Sequence, residues 1–458
     1  MLRRPVFVRR IPKFLGLFSC FAAAALNPRT VQANGAFPAV SQLVADPSDP
    51  THLVLRSNFG LLISHDRGVN WDLVCEAGLG YQNIEPAIAV LGDGTTLVAL
   101  PEGIARGTTE CAFERGAGLE GYVADVARIP GLAGGAAVAI SVDIEAGLSR
   151  VWRSLDAGQS WKRAGSALSA LNATTLDAAG EAGSTLYVSG TSQEGALRGV
   201  LAHSSDGGET WTRSDVPGSN KQSIPYIAAV SAQDPETVFV RLSGNPGQLL
   251  VSHDRGASFT RLLDFAGPLD GFALSPDGRY ALASGRMDGV WRADTSDLVF
   301  ERVSCTKLRC LSWTSAGLFS CAEEFQAGFL VGESANAGLT FEPRLHLSCV
   351  RGPLACASVS TVAKACDAAW PALSEVLGSD CSNAGFTPQA DCSELGSSTA
   401  GAGAIAGSGA IEVGLEPRAR GGCSLAASPA SRWIALSSLG TLLCGMGRRR
   451  ASSRKRGD

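Results

Sequence analysis

Apolar residues in this chain come in short runs separated by glycine, aspartate and proline. His52-Leu53-Val54-Leu55 and Thr237-Val238-Phe239-Val240 are typical. Each run follows a turn signal: Asp46-Pro47-Ser48-Asp49-Pro50, Gly92-Asp93-Gly94, Pro130-Gly131, Ala179-Gly180, Asp234-Pro235, Pro276-Asp277-Gly278 and, less clearly, Ser315-Ala316-Gly317. A second short strand comes next, often opened by glycine, as at Gly60, Gly103, Gly199, Gly247, Gly289 and Gly328. Short apolar runs bounded by turn residues predict an antiparallel strand meander. One stretch differs. Residues 357–377 lack glycine, and Val362, Cys366 and Ala369 recur at helical spacing. A helix is predicted there, kinked or restarted at Pro371 because proline lacks the amide proton a helix interior needs.

The strongest internal pattern is eight residues long. Ser64-His65-Asp66-Arg67-Gly68-Val69-Asn70-Trp71 reads Ser-x-Asp-x-Gly-x-x-aromatic. It recurs with Ser154, Asp156, Gly158 and Trp161, with Ser204, Asp206, Gly208 and Trp211, and with Ser252, Asp254, Gly256 and Phe259. A weaker copy spans Ser334 to Phe341, with Asn336 at the aspartate position. Degenerate copies fill the two long gaps, at Thr108 to Phe113 and Asp294 to Phe300. The anchors then fall at Trp71, Phe113, Trp161, Trp211, Phe259, Phe300 and Phe341, about 40 to 50 residues apart, which is the length of one four-stranded sheet in a ring. Seven anchors predict seven sheets. The aspartate can accept hydrogen bonds from amides of its own turn. The glycine permits a backbone angle other residues resist, and the aromatic packs between neighbouring sheets. These are fold residues, and His65 and His253 are read as exposed turn residues repeated because the motif repeats.

The motif resembles the Asp-box, or BNR repeat, of sialidases, sortilin-type receptors and photosystem II assembly factors. The resemblance covers Ala36 to Leu347. It implies an all-β, seven-bladed β-propeller of four-stranded blades, with the boxes away from the usual ligand face. It carries no binding residues across.

The chain holds 13 cysteines. Cys20 falls in the leader, and Cys423 and Cys444 in the tail. Cys75, Cys111, Cys305, Cys310, Cys321, Cys349, Cys356, Cys366, Cys381 and Cys392 remain, an even set that predicts disulfides in an exported chain. Cys75 and Cys111 stand apart from the rest, so pairing with each other is the simplest expectation. The connectivity of the other eight stays open. Metal binding by these cysteines is the weaker reading, because no CxxC pair occurs and His346 is the nearby histidine.

The ends predict processing. Arg3, Arg4, Arg9, Arg10 and Lys13 precede an apolar run, Phe14 to Leu26, and small residues up to Ala33. That order predicts a signal peptide, residues 1–33, cut after Ala33. A retained membrane helix is the alternative, but the run is short for a bilayer. A lipoprotein cut before Cys20 is disfavoured by bulky Phe18. The propeller follows at 34–347, a Cys-rich helical appendage at 348–392, and a Gly/Ala/Ser linker at 393–420 that buries too little surface to fold. Residues 421–458 carry Gly421-Gly422-Cys423, an apolar segment and an arginine cluster. They resemble the MYXO-CTERM sorting tails of myxobacterial surface proteins. That resemblance implies processing near Cys423 and display at the cell surface, with membrane contact through the tail only; an unprocessed transmembrane anchor is the alternative.

Composition adds little about chemistry. The formal charge is −4 and the basic residues cluster at the ends, so no nucleic-acid partner is expected. Sialidase chemistry needs three arginines on a carboxylate, a tyrosine with a glutamate beside it, and an aspartate. The family's Arg-Ile-Pro motif finds only Arg128-Ile129-Pro130, preceded by Ala127 and read as a strand end, and Arg10-Ile11-Pro12 in the leader. Tyr81, Tyr122, Tyr187, Tyr226 and Tyr280 have no convincing glutamate partner in sequence. No catalytic residue, cofactor or metal site is assigned. The sequence reads as a monomeric, non-enzymatic binding propeller with a protein or glycan ligand at its face or central channel, bordered by loops such as Glu76 to Asn83 and Asp215 to Ser223. A sialidase-like glycoside hydrolase is the alternative. Three arginines and a Tyr–Glu pair converging in one cleft would mark it.

Overall fold

The computed structural model describes residues 37–132, 134–378, 380–383 and 399–400. Seven antiparallel sheets follow one another along the chain, each a meander of consecutive strands. Blade one is Val40–Ala45, Leu53–Ser57, Gly60–Ser64 and Asp72–Cys75. The inner strands of blades two to seven are Ile88–Val90, Tyr122–Arg128, Leu171–Ala179, Pro225–Val230, Gly271–Leu274 and Leu308–Thr314. This is a seven-bladed β-propeller. Two blades are extended: Leu168–Ser169 joins blade three, and Thr399–Ala400, from the segment read as a linker, pairs with Thr260–Asp264 in blade five.

All seven aromatic anchors occupy one place, just before the outermost strand of successive blades. The turn chemistry is as the residue types require. Ser64 Oγ donates to Asp66 Oδ1 at 2.9 Å and accepts the Gly68 amide at 2.8 Å. Asp66 Oδ1 accepts the Asn70 amide at 2.8 Å, and Trp71 Nε1 donates to the Gly68 carbonyl at 3.0 Å. Asp156, Asp206 and Asp254 accept the amides of Ser160, Thr210 and Ser258 at 2.9, 2.9 and 2.8 Å. In the weak copy Asn336 Oδ1 accepts the Thr340 amide at 3.0 Å, so an amide oxygen replaces a carboxylate without loss of the turn. At Gly158, φ is +76° and an added Cβ would lie 2.7 Å from Leu97 of the preceding blade, so glycine serves both the turn and the packing.

Between blades the strands bury apolar faces. Leu97, Ile104, Val126, Ala137 and Trp161 join blades two and three in one cluster. Each such leucine or isoleucine contributes about 1.5–3 kcal/mol when fully buried.

Each blade is built from its own consecutive strands, so the ring must be closed by something other than a shared sheet. The segment after blade seven does this. It crosses to blade one, where Leu73 pairs in parallel with Pro353. The Leu73 amide donates to the Gly352 carbonyl at 2.7 Å, and the Leu354 amide donates back to Leu73 at 2.8 Å. Backbone groups on the outer edge of blade one are thereby satisfied. Cys356 then bonds to Cys111 of blade two, and Cys366 to Cys75 of blade one. Cys366 sits on a helix, Thr361–Leu377, capped by the Ser360 hydroxyl accepting the Ala363 amide at 3.0 Å. Val362, Cys366 and Leu377 are buried against the cluster that holds Leu53 and Phe319 of blades one and seven. Arg67 and Glu333, at 2.7 Å, tie the same two blades directly.

Two expectations need correction. Cys75 and Cys111 do not pair with each other. Cys75 ends an outermost strand, whereas Cys111 lies in the turn before one, so they stand at opposite faces of the ring, too far for one bond. The helix also does not restart at Pro371. It runs through that residue to Leu377. Cys349 pairs with Cys381 and Cys310 with Cys321. Cys305 is also disulfide-bonded. Cys392, Ala33 and Cys423 lie outside the described residues, as do the segments read as a signal peptide and a sorting tail.

Candidate functional site

The seven inner strands line a central channel. We call upper the face where those strands begin and lower the face where they end. The lower mouth is a cavity of about 950 Å³. Its walls are largely apolar, with Val44, Val90, Val126, Val230, Leu274 and Trp313, and it includes Asp177, Arg128 and His253. The upper mouth is smaller, about 390 Å³, and polar. Gln42, Arg56, Glu85, Asp125, Thr175, Tyr226, Arg241 and Asp270 converge on it from several blades.

Many of these side chains stitch one blade to the next. Gln42 of blade one both donates to and accepts from the Ile88 backbone of blade two, at 3.0 and 3.2 Å. Asp125 of blade three accepts the Leu176 amide of blade four at 2.9 Å, and Thr175 of blade four accepts the Ile227 amide of blade five at 2.9 Å. Bulges in these inner strands, such as those at Ala173/Thr175 and Ile227/Ala229, accompany the pattern and turn side chains out of strand alternation. Arg56 donates to Ser41 Oγ and to the Pro86 carbonyl, each at 3.0 Å. Arg241 donates to the Leu269 carbonyl at 3.0 Å and lies 4.8 Å from the centre of the Tyr226 ring. Burial pulls both guanidinium groups below the usual arginine value.

Burial pushes Asp125 up to about 7, against the amide bonds from Leu176 and Val126. Burial likewise pushes Asp177 up to about 6. Both therefore hold a proton more tightly folded than unfolded. Their contribution to stability is complete below the ordinary aspartate range and is lost as pH rises through about 6 to 7. Melting temperature is expected to be higher at pH 5 than at pH 8, and Asp125→Asn should shrink that difference. An unchanged difference would remove Asp125 from the account.

The eight-residue turns lie on the lower side, at the outer part of each blade, away from the upper mouth. His65 and His253 are exposed, as read from sequence, but both have partners: His65 Nε2 lies 2.9 Å from Glu110, and His253 Nδ1 lies 3.0 Å from Thr237. The loop Glu76 to Asn83 borders the upper face, opens with a short helix, Glu76–Leu79, and holds Asn83 through its amide to Glu76 Oε1 at 2.9 Å. Arg128 ends the inner strand of blade three, as its sequence context indicated, and lines the lower mouth. Sequence reasoning missed Arg56, Asp125, Arg241 and Glu110. The available signal was a charged residue inside an otherwise apolar inner or second strand and, for Glu110, an acid inside a degenerate turn. Among the described residues one group of metal-ligating side chains comes together, His52, His65 and Glu110, away from the channel. No described helix is long and apolar enough to cross a membrane.

No family model matches the sequence, and no curated protein matches it. Solved structures do. An ancestral GH74 enzyme aligns at TM-score 0.51 and 15% identity, over 67% of this chain and 46% of its own. The GH74 xyloglucanase of Xanthomonas campestris aligns at 0.44 and 19%, over 61% and 50%. YCF48 of Cyanidioschyzon merolae aligns at 0.45 and 14%, over 62% and 93%. The chain thus spans about half the length of the GH74 structures. At these identities the likeness shows the fold alone.

Proposed function

We propose that the chain is an exported, surface-held binding propeller of the Asp-box kind, which takes a polar protein segment or glycan at its upper mouth. The observation that carries this is the convergence of Arg56, Glu85, Asp125, Tyr226, Arg241 and Asp270 on one cavity of about 390 Å³, within the size range of ligand sites. Charged and aromatic groups of both kinds suit hydrogen bonding and stacking with a polar chain. The disulfides fit folding in an oxidising compartment, and the tail's resemblance supports display at the surface.

The purified, oxidised protein should bind a small set of ligands on combined peptide and glycan arrays. Tyr226→Ala and Glu85→Gln should each weaken that binding by about tenfold or more. Binding that survives both changes would place the ligand elsewhere and overturn the reading.

Hydrolysis of a glycan at the same mouth is the second reading. Asp125 favours it, because a carboxyl raised to about 7 is suited to act as a general acid. Against it, both oxygens of Asp125 accept backbone amides, and two arginines rather than three line the mouth. Turnover of fluorogenic glycosides that vanishes in Asp125→Asn would favour hydrolysis over binding.

A further inference from the structure

At the seam between blades one and two, on the lower side, three side chains from three different turns meet. His52 closes the first turn of blade one, His65 lies in its eight-residue turn, and Glu110 lies in the matching turn of blade two. His52 Nε2 is 2.6 Å from Glu110 Oε1, and His65 Nε2 is 2.9 Å from Glu110 Oε2. The three donor atoms lie within 4.8 Å of one another. His52 and Glu110 are nearly buried, with side chains 8% and 7% exposed, while the His65 side chain is 56% exposed.

We propose that His52, His65 and Glu110 form a binding site for a divalent transition-metal ion of the zinc class. Two imidazole nitrogens and one carboxylate are a common zinc donor set, and they select against calcium and magnesium, which take oxygen ligands. Each donor is held by rigid structure. His65 follows Ser64, whose hydroxyl is fixed in the turn of blade one. Glu110 has a left-handed backbone, φ 60°, and precedes Cys111, which is bonded to Cys356. His52 Nδ1 faces Asp46 Oδ2 at 3.4 Å. Asp46 is itself held by the Ser48 amide at 2.8 Å. A carboxylate behind the non-coordinating nitrogen is the usual device that orients a ligating histidine.

Tetrahedral zinc places neighbouring ligand atoms about 3.3 Å apart. The 2.6 and 2.9 Å contacts to Glu110 must therefore open slightly, and donors now up to 4.8 Å apart must close by roughly 1.5 Å; the exposed His65 ring is the one with room to move. Coordination takes each imidazole as the neutral ring with its proton on Nδ1 and its lone pair on Nε2, so the proton shared with Glu110 moves to Nδ1, or leaves to solvent where Nδ1 already carries one. His52 keeps its other proton at Nδ1, toward Asp46. The exposed side of His65 leaves the fourth position to water or to a ligand atom. The ion would cross-link blades one and two beside the Cys111–Cys356 bond.

The test is calorimetric titration of the untagged, oxidised, EDTA-treated protein with zinc chloride and, separately, calcium chloride. One zinc ion per chain is expected, with no response to calcium. His65→Ala and Glu110→Gln should each weaken zinc binding by about 100-fold or more, and Asp46→Asn by about 10-fold. Zinc should raise the melting temperature of the wild type but not that of His65→Ala, each compared with its own metal-free value. No zinc binding at submillimolar concentration would overturn the proposal. So would binding that His65→Ala and Glu110→Gln leave intact.

Discussion

Replacing Cys75, Cys366, Cys111 and Cys356 together by serine is expected to lower stability by about 5 kcal/mol, while removing either pair alone costs about 2 kcal/mol. The two bonds span 291 and 245 residues, so each closes almost the whole ring. While one remains, the unfolded chain is still a loop of nearly the same size, and little entropy is regained by losing the other. Removing both frees the ends. It also releases the helix Thr361–Leu377 from blade one, exposing Val362 and its neighbours in the cluster. The losses should therefore exceed the sum of the single changes, as for any two coupled sites. Urea denaturation of the four-cysteine and two-cysteine variants measures this, and hydrogen exchange should rise first in blades one and seven. Equal and additive losses would mean that the bonds act independently and do not share the closure of the ring.

Trp71→Ala is expected to cost about 3–5 kcal/mol, more than Trp211→Ala. Both rings donate Nε1 to the carbonyl of the turn glycine, each at 3.0 Å. Trp71 is 1% exposed and packs in the cluster that also holds Leu53 and Phe319. Trp211 is only half-buried. The difference between the two variants therefore reads burial at the closing seam, with the turn hydrogen bond held constant. Equal losses in thermal melts would place the energy of this anchor in the turn and not in the seam.

The blade number and the place of each anchor were legible because the turn chemistry is local. Asp66 bonds amides within four residues of itself, so its residue types recur wherever the turn does. Even the weak turn at Asn336 was readable, because an amide oxygen can do the same work. Ring closure was not legible. Cys75 and Cys366 are adjacent in space through a path that depends on where the whole ring ends, and sequence proximity points instead to Cys111. The upper mouth was equally hidden. Asp125, Thr175 and Gln42 act across blade boundaries, through bulges that break strand alternation, so no short window of sequence contains both partners. The His52–His65–Glu110 cluster joins residues of blade one to a degenerate turn whose acid looked like a loss of pattern.

Closure of the ring depends on the segment after blade seven returning to blades one and two. Peptide mapping of the protein digested without reduction tests this directly. A Cys75 peptide joined to the Cys366 peptide, and a Cys111 peptide joined to the Cys356 peptide, are the expected products. A Cys75–Cys111 product, with Cys356 and Cys366 bonded elsewhere, would contradict it.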